Sequence, residues 1–173
     1  KAILEKLLKQ QPIIKVLEQE ATERKERSIK VGHPVNPEHW VYYRAAGGRY
    51  FKVVTPYSTG SSAEKAFPIN DNLSAGAVLS SNLAFWFYQI LSDNLNWKYG
   101  EITAFPLPRM TQAQMKALAS LYQAYLDDIE RNMHVRKSSG RGTYHVETFR
   151  EYKISLSKPL IDRIDDFIGP LYG

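Results

Sequence analysis

Residues 40–54 read WVYYRAAGGRYFKVV, two runs rich in aromatic and β-branched residues joined by Ala-Ala-Gly-Gly. Such residues suit the pleated surface of a strand, and Gly47 and Gly48 supply the positive φ that a tight hairpin turn requires. The stretch predicts a β-hairpin. Whichever loop length is adopted, Arg44 and Arg49 stand beside the turn and Lys52 lies on the returning strand between apolar neighbours. Three cations are therefore expected on one projecting hairpin.

The segments on either side read mostly as helices. Upstream, Lys1 to about Arg27 carries Ile3, Leu4, Leu7 and Leu8 on one stripe, followed by Ile14 and Leu17, with Pro12 breaking or restarting the helix. Downstream, TPYSTGSSAEKAFPIND (55–71) is rich in turn residues and predicts an exposed loop. The next run, from Ala75 to Leu91, is apolar nearly all round and predicts one buried helix interrupted only by Ser80, Ser81 and Asn82. Alternation from Lys98 to Phe105 suggests a short strand before Pro106 and Pro108. Thr111 with Gln114 three residues later forms a capping box for a long helix whose stripe is Leu118, Leu121, Tyr122, Tyr125 and Ile129. Ser157 is placed to cap a last helix, with Leu160, Ile161, Ile164, Phe167 and Ile168 inward and Gly169 as its stop. The expected fold is α+β: a small twisted sheet or hairpin core flanked by an N-terminal helical segment (1–30), a central buried helix, a long amphipathic helix and a C-terminal helix, with the principal domain spanning 31–173.

The chain has 173 residues, 43% of them apolar, enough for one real core. It lacks cysteine, which excludes disulfides and thiolate metal sites and agrees with a reducing compartment. No secretory signal and no bilayer-length apolar run is present, so a soluble, cytoplasmic protein is expected. The chain begins at Lys1 rather than Met, as a piece of a larger protein would. Formal net charge is +5, favouring an anionic partner, and the surplus is local. Residues 109–158 hold nine Lys/Arg against five Asp/Glu, whereas 71–108 hold one against three. Ordinary solvated helix faces are the alternative explanation of this charge, and the helix dipole gives Arg131, Arg136 and Lys137 near a C-terminus a structural role beside a phosphate-binding one.

Motifs of catalysis are sparse. There is no phosphate-binding Gly-x-x-x-x-Gly-Lys-Ser/Thr loop and no Gly-x-Ser-x-Gly elbow. His33, His39, His134 and His145 lack the spacing that puts two on one helical face around a metal. Glu-x-Lys occurs at Glu151-Tyr152-Lys153 and Glu23-Arg24-Lys25, a pattern used by metal-dependent nucleases but common by chance, and no Pro-Asp dipeptide completes it. Binding chemistry is better represented. Arginine and lysine reach phosphates or guanine edges and asparagine pairs bidentately with adenine, so Arg44, Arg49, Lys52, Asn94, Asn96 and Lys98 make a candidate reading surface. Tyr50, Trp97 and Tyr99 are placed to stack on a base or sugar, although each aromatic taken singly, Trp97, Tyr50 and Phe51 among them, is better read as a core member of a sheet.

The segment AVLSSNLAFWFYQILSDNLNWKYGEITAFPLP (77–108) resembles one found in adenine-N6 DNA methyltransferases and type IIG restriction-modification enzymes, where a helix of the form LLxLLNSxLxxFxF precedes a polar stretch and then ExxxFPxP. Leu79-Ser80-Ser81 stands where that family often has Leu-Asn-Ser, and Glu101-Ile102 with Phe105-Pro106-Leu107-Pro108 matches the ending. The closing YKISLSKPLIDRIDDFIGPLYG (152–173) is similar to the family's tail, sKPxIDxIDxxLxxxYG. The resemblance implies a TaqI-like C-terminal specificity domain over 31–173, non-catalytic by itself, that reads double-stranded DNA. The methyltransferase domain, with S-adenosylmethionine and in some such enzymes magnesium, is expected elsewhere in the parent chain. No Asn/Asp-Pro-Pro-Tyr motif is present, and FIGPLYG departs from the cofactor motif Phe-x-Gly-x-Gly at Leu171. No catalytic, cofactor or metal residue is therefore expected here. On this reading the loop SDNLNWKYG (92–100) presents Asn94, Asn96, Trp97, Lys98 and Tyr99 towards DNA, and Arg136, Lys137 and Arg141 join the hairpin in holding phosphates. The alternatives are a protein-interaction or scaffold module and, more remotely, a nuclease using Glu151 and Lys153.

Overall fold

A computed structural model describes residues 2–46, 53–137 and 148–173. The central strand β2 (Trp40–Arg44) lies between β3 (Val54–Thr55) and β4 (Glu64–Pro68) in an antiparallel sheet. Tyr43 faces Val54 on one side and Lys65 on the other. The alternation of β2 is strict: Val41 and Tyr43 are buried, and Arg44 is exposed. The hairpin expected over 40–54 is present as the β2–β3 pair; Gly47, Gly48, Arg49, Tyr50, Phe51 and Lys52 lie outside the described residues. The 55–71 stretch, in contrast, is not all loop. Its second half is β4, because Ala66 and Phe67 offer an apolar, strand-forming run and β2 has an open edge to pair with.

The apolar run after the sheet forms two helices, α3 (Asn72–Leu79) and α4 (Asn82–Leu91). The break falls at Ser80 and Ser81, whose hydroxyls compete with the helix ladder: each donates back to a carbonyl, Ser80 to Gly76 at 2.8 Å and Ser81 to Val78 at 2.6 Å. Ser81 then takes the extended conformation and accepts from Ala84 N as the cap of α4. Asp165 of the last helix adds a second cap, accepting from the backbone N–H groups of Asn82 and Leu83 at 3.0 and 3.2 Å. α3 is buried from Ser74 to Leu79 and packs against the sheet, α6 (Gln112–Arg131) and α7 (Lys158–Ile168).

The capping box of α6 is formed as expected, with Thr111 Oγ1 accepting from Gln114 N and Gln114 Oε1 accepting from Thr111 N. Leu118, Tyr122, Tyr125, Leu126 and Ile129 are its buried stripe. Helix α7 begins after Ser157 and buries Ile161, Ile164 and Ile168. Ser157 does not cap it through its side chain; the hydroxyl donates instead to Asp128 on α6 at 2.7 Å. At the N-terminus, α1 (Ala2–Leu7) and α2 (Ile13–Val31) are separated at Pro12, and α2 runs four residues past Arg27 to a left-handed Gly32. Leu7, Ile13 and Leu17 belong to the same core as the sheet, while Ile3 and Leu8 are exposed. Gln11–Pro12 (β1) pairs with Pro106–Leu107 (β5), so the 1–30 segment is joined to the rest by ladder and core alike. The strand expected from Lys98 to Phe105 is a helical turn, α5 (Tyr99–Thr103), because Glu101 accepts from Lys98 N and closes a first turn before the prolines end it. A separate hairpin, β6 (His134–Lys137) with β7 (Thr148–Glu151), follows α6. Among the described residues no helix is long and apolar enough to cross a membrane.

Candidate nucleic-acid interface

The loop between α4 and α5 is built on short polar side chains that bond their own backbone. Asp93 Oδ1 accepts from Leu95 N at 2.9 Å and Asn96 N at 3.1 Å, and Ser92 Oγ donates to Asn96 O at 3.0 Å. Asn94, with φ 61°, supplies the left-handed residue that this tight path needs, a conformation asparagine tolerates better than most. Those two N–H bonds, with the Lys98 ammonium as a lesser contribution, bring the Asp93 carboxyl down to about 2. The turn is thus held by charge-assisted bonds rather than by burial.

From there the chain docks on the sheet. Trp97 N donates to Ala45 O at 2.8 Å, and Asn96 bridges Ala46 in antiparallel fashion just beyond the end of β2. Trp97 is only 4% exposed and meets Tyr43 edge-on at 6.0 Å and Tyr88 at 5.6 Å. It is an anchor, not a presented aromatic, and this corrects its expected place facing DNA: an indole of that size at the junction of α4 and β2 stabilises most by filling it. Its neighbours point outward. Asn96, Lys98 and Tyr99 are exposed, and Asn94 is half-buried with its amide donating to Gln89 O at 3.4 Å. Lys98 is not a free cation: its ammonium lies 3.1 Å from Asp93 and 3.7 Å from Glu101, which together raise its pKa.

Beside this loop, Ala45, Ala46, Ser62, Ala63, Glu64, Lys65, Asn96, Trp97 and Lys98 line a cleft of about 270 Å³. Arg44 stands next to it and donates Nε to Ala46 O at 3.1 Å. Glu64 is opposite Arg44 in register but is held by its own loop, accepting from Ser58 Oγ, Thr59 N and Thr59 Oγ1 at 2.6 to 2.8 Å. The structure thereby brings Asn96 and Lys98 to the end of β2, beside Ala45 and Ala46, the residues that follow Arg44 in the chain. Lys65 is exposed at the same cleft, a place the sequence does not signal because the turn-rich 55–71 stretch predicts a loop where β4 forms. Of the other candidates, Arg49, Tyr50, Lys52 and Arg141 lie outside the described residues. Arg136 and Lys137 are exposed on β6, and Arg136 pairs with Glu151 at 2.6 Å.

Glu151, the acidic member of the Glu-x-Lys pattern, is engaged by Arg136 and by Lys153 at 3.0 Å, which lowers its pKa. No group of three or more metal-ligating side chains occurs among the described residues. Comparison with protein-family models, with curated protein sequences and with solved structures found no match.

Proposed function

We propose that this chain is a DNA target-recognition module of an adenine-N6 DNA methyltransferase or type II restriction-modification enzyme. It reads double-stranded DNA while a catalytic domain of the same parent chain binds S-adenosylmethionine and carries out the chemistry. The observation that supports this most is the Ala46–Asn96 bridge with Trp97 buried beneath it. It fixes the 92–98 loop to the sheet two residues beyond Arg44 and leaves Asn96, Lys98 and Tyr99 exposed. Asparagine suits the paired donor and acceptor of adenine, and arginine suits the two acceptors of guanine. Tyr99, 46% exposed, offers a ring face for a sugar or displaced base.

Fluorescence anisotropy of a labelled mixed-sequence duplex, titrated at several salt concentrations, tests the reading. The expected result is binding that falls with salt at a log-log slope of about −0.9 per neutralised phosphate. Absence of binding at low salt and roughly 100 µM protein, above ordinary non-specific dissociation constants, overturns it. A protein-interaction module is the second reading, favoured by Trp86, Ile90 and Leu91, which leave α4 with an exposed apolar side at 37%, 47% and 52% exposure.

A further inference from the structure

A second, smaller recess shares Glu64 with the cleft beside the 92–98 loop. Arg44, Val53, Thr59, Ser61, Glu64, Arg150 and Tyr152 line it, and it holds only about 30 Å³. That is room for one or two water-sized oxygens and far too little for a base. Two guanidinium groups thus meet at one notch from elements distant in sequence, the end of β2 and the middle of β7. Neither has a carboxylate ion pair among the described residues. The carboxylate that lines the notch, Glu64, is occupied by Ser58 and Thr59. Near Arg150, Glu130 is held by the hydroxyls of Tyr57 and Tyr152, each donating at 2.9 Å, which ties this end of β7 to α6. Directly paired residues share a face of an antiparallel ladder, so Arg150 lies on the face of its partner Val135, and Lys137, two residues on, shares it. Tyr152 and the charge of Glu130 hold Arg150 at the notch. Glu64 keeps its charge there but is turned to hydroxyl and backbone donors. The two guanidinium groups, neither in a direct carboxylate pair among the described residues, offer planar forks that match a phosphate's oxygens.

We propose that Arg44 and Arg150 form a seat for one backbone phosphate of a bound DNA duplex, with Lys137 flanking it on the β6–β7 hairpin. This rests on the DNA-recognition reading and adds a contact that sets register without reading sequence. It places the duplex across the notch, with the Asn96 edge turned to the bases.

The test is duplex binding by the whole chain across a salt series, on several unrelated duplex sequences, for the wild type, Arg44→Gln, Arg150→Gln and Arg150→Lys. Each glutamine variant is expected to weaken binding by a similar factor on every sequence and to make the salt slope shallower by about 0.9, while Arg150→Lys keeps the wild-type slope. Thermal melting of each variant confirms folding, which exposed side chains should not disturb. Wild-type binding with unchanged affinity and slope in both glutamine variants overturns the seat and leaves the DNA reading standing. A loss that differs from sequence to sequence also overturns it, since Arg150 would then read bases. No binding by the wild type overturns both.

Discussion

Tyr122 donates its hydroxyl to the carbonyl oxygen of Val54 at 2.9 Å, reaching from α6 to the sheet across the face of Gly76. A Cβ built on Gly76 would stand 2.5 Å from that hydroxyl and 2.7 Å from the ring. Tyr122 is fully buried and has nowhere to move. Gly76→Ala is therefore expected to destabilise the fold by about 1–3 kcal/mol despite alanine's better helix propensity, read as a lower urea midpoint. An unchanged or raised midpoint would show that the α3–α6 contact is looser than described.

Asp165 caps a helix it does not belong to. Its carboxylate accepts from Asn82 N, Leu83 N and the Asn82 amide, joining α7 to the start of α4. Asp165→Ala should cost about 1–2 kcal/mol of stability, the ordinary worth of a lost helix cap, measured by denaturant unfolding. Replacement of the neighbouring exposed Asp166 serves as the control and should change little.

The 92–98 turn should loosen in acid. Asp93 has a folded pKa of about 2, below its ordinary value of 3.8, so its stabilising bonds are present above about pH 4 and are lost as pH falls through 2. Hydrogen exchange at the amides of Leu95 and Asn96 reports this directly: protection is expected at pH 4 and reduced near pH 2. Asp93→Ala should expose both amides already at pH 4.

Within this loop, folding and the proposed DNA contact are expected to rest on different residues. Trp97→Ala removes a buried indole between Tyr43 and Tyr88 and should cost about 3–5 kcal/mol. Asn96→Ala and Lys98→Ala alter exposed side chains and should shift stability by no more than about 0.5 kcal/mol. On the proposed DNA reading, these two variants are expected to weaken duplex binding or change its sequence preference at an unchanged melting temperature. Duplex binding unchanged in both removes them from the proposed surface.

Much of the architecture was legible in the chain because it is written in local chemistry. The α6 capping box and stripe, the restart of the helix at Pro12 and the strand alternation of β2 all depend on residues within a turn or two of each other. The misreadings have local causes too. Ser80 and Ser81 carry enough hydroxyl and capping chemistry to divide an apolar run into two helices. The pairing of Glu101 with Lys98 N turned an alternating stretch into a helical turn.

The candidate site was only half legible. Composition and motif directed attention to Asn96, Lys98, Tyr99 and Arg44, since amide and guanidinium chemistry belongs to the residue type wherever it sits. Their neighbours depend on contacts that no local pattern encodes: the Ala46–Asn96 bridge, the burial of Trp97, the carboxylates around Lys98 and the meeting of Arg44 with Arg150. Side-chain type and short-range hydrogen bonding follow from sequence order alone. Which charges stay free, and which aromatic is anchor or surface, follows from packing between distant segments, and there the tertiary structure decided.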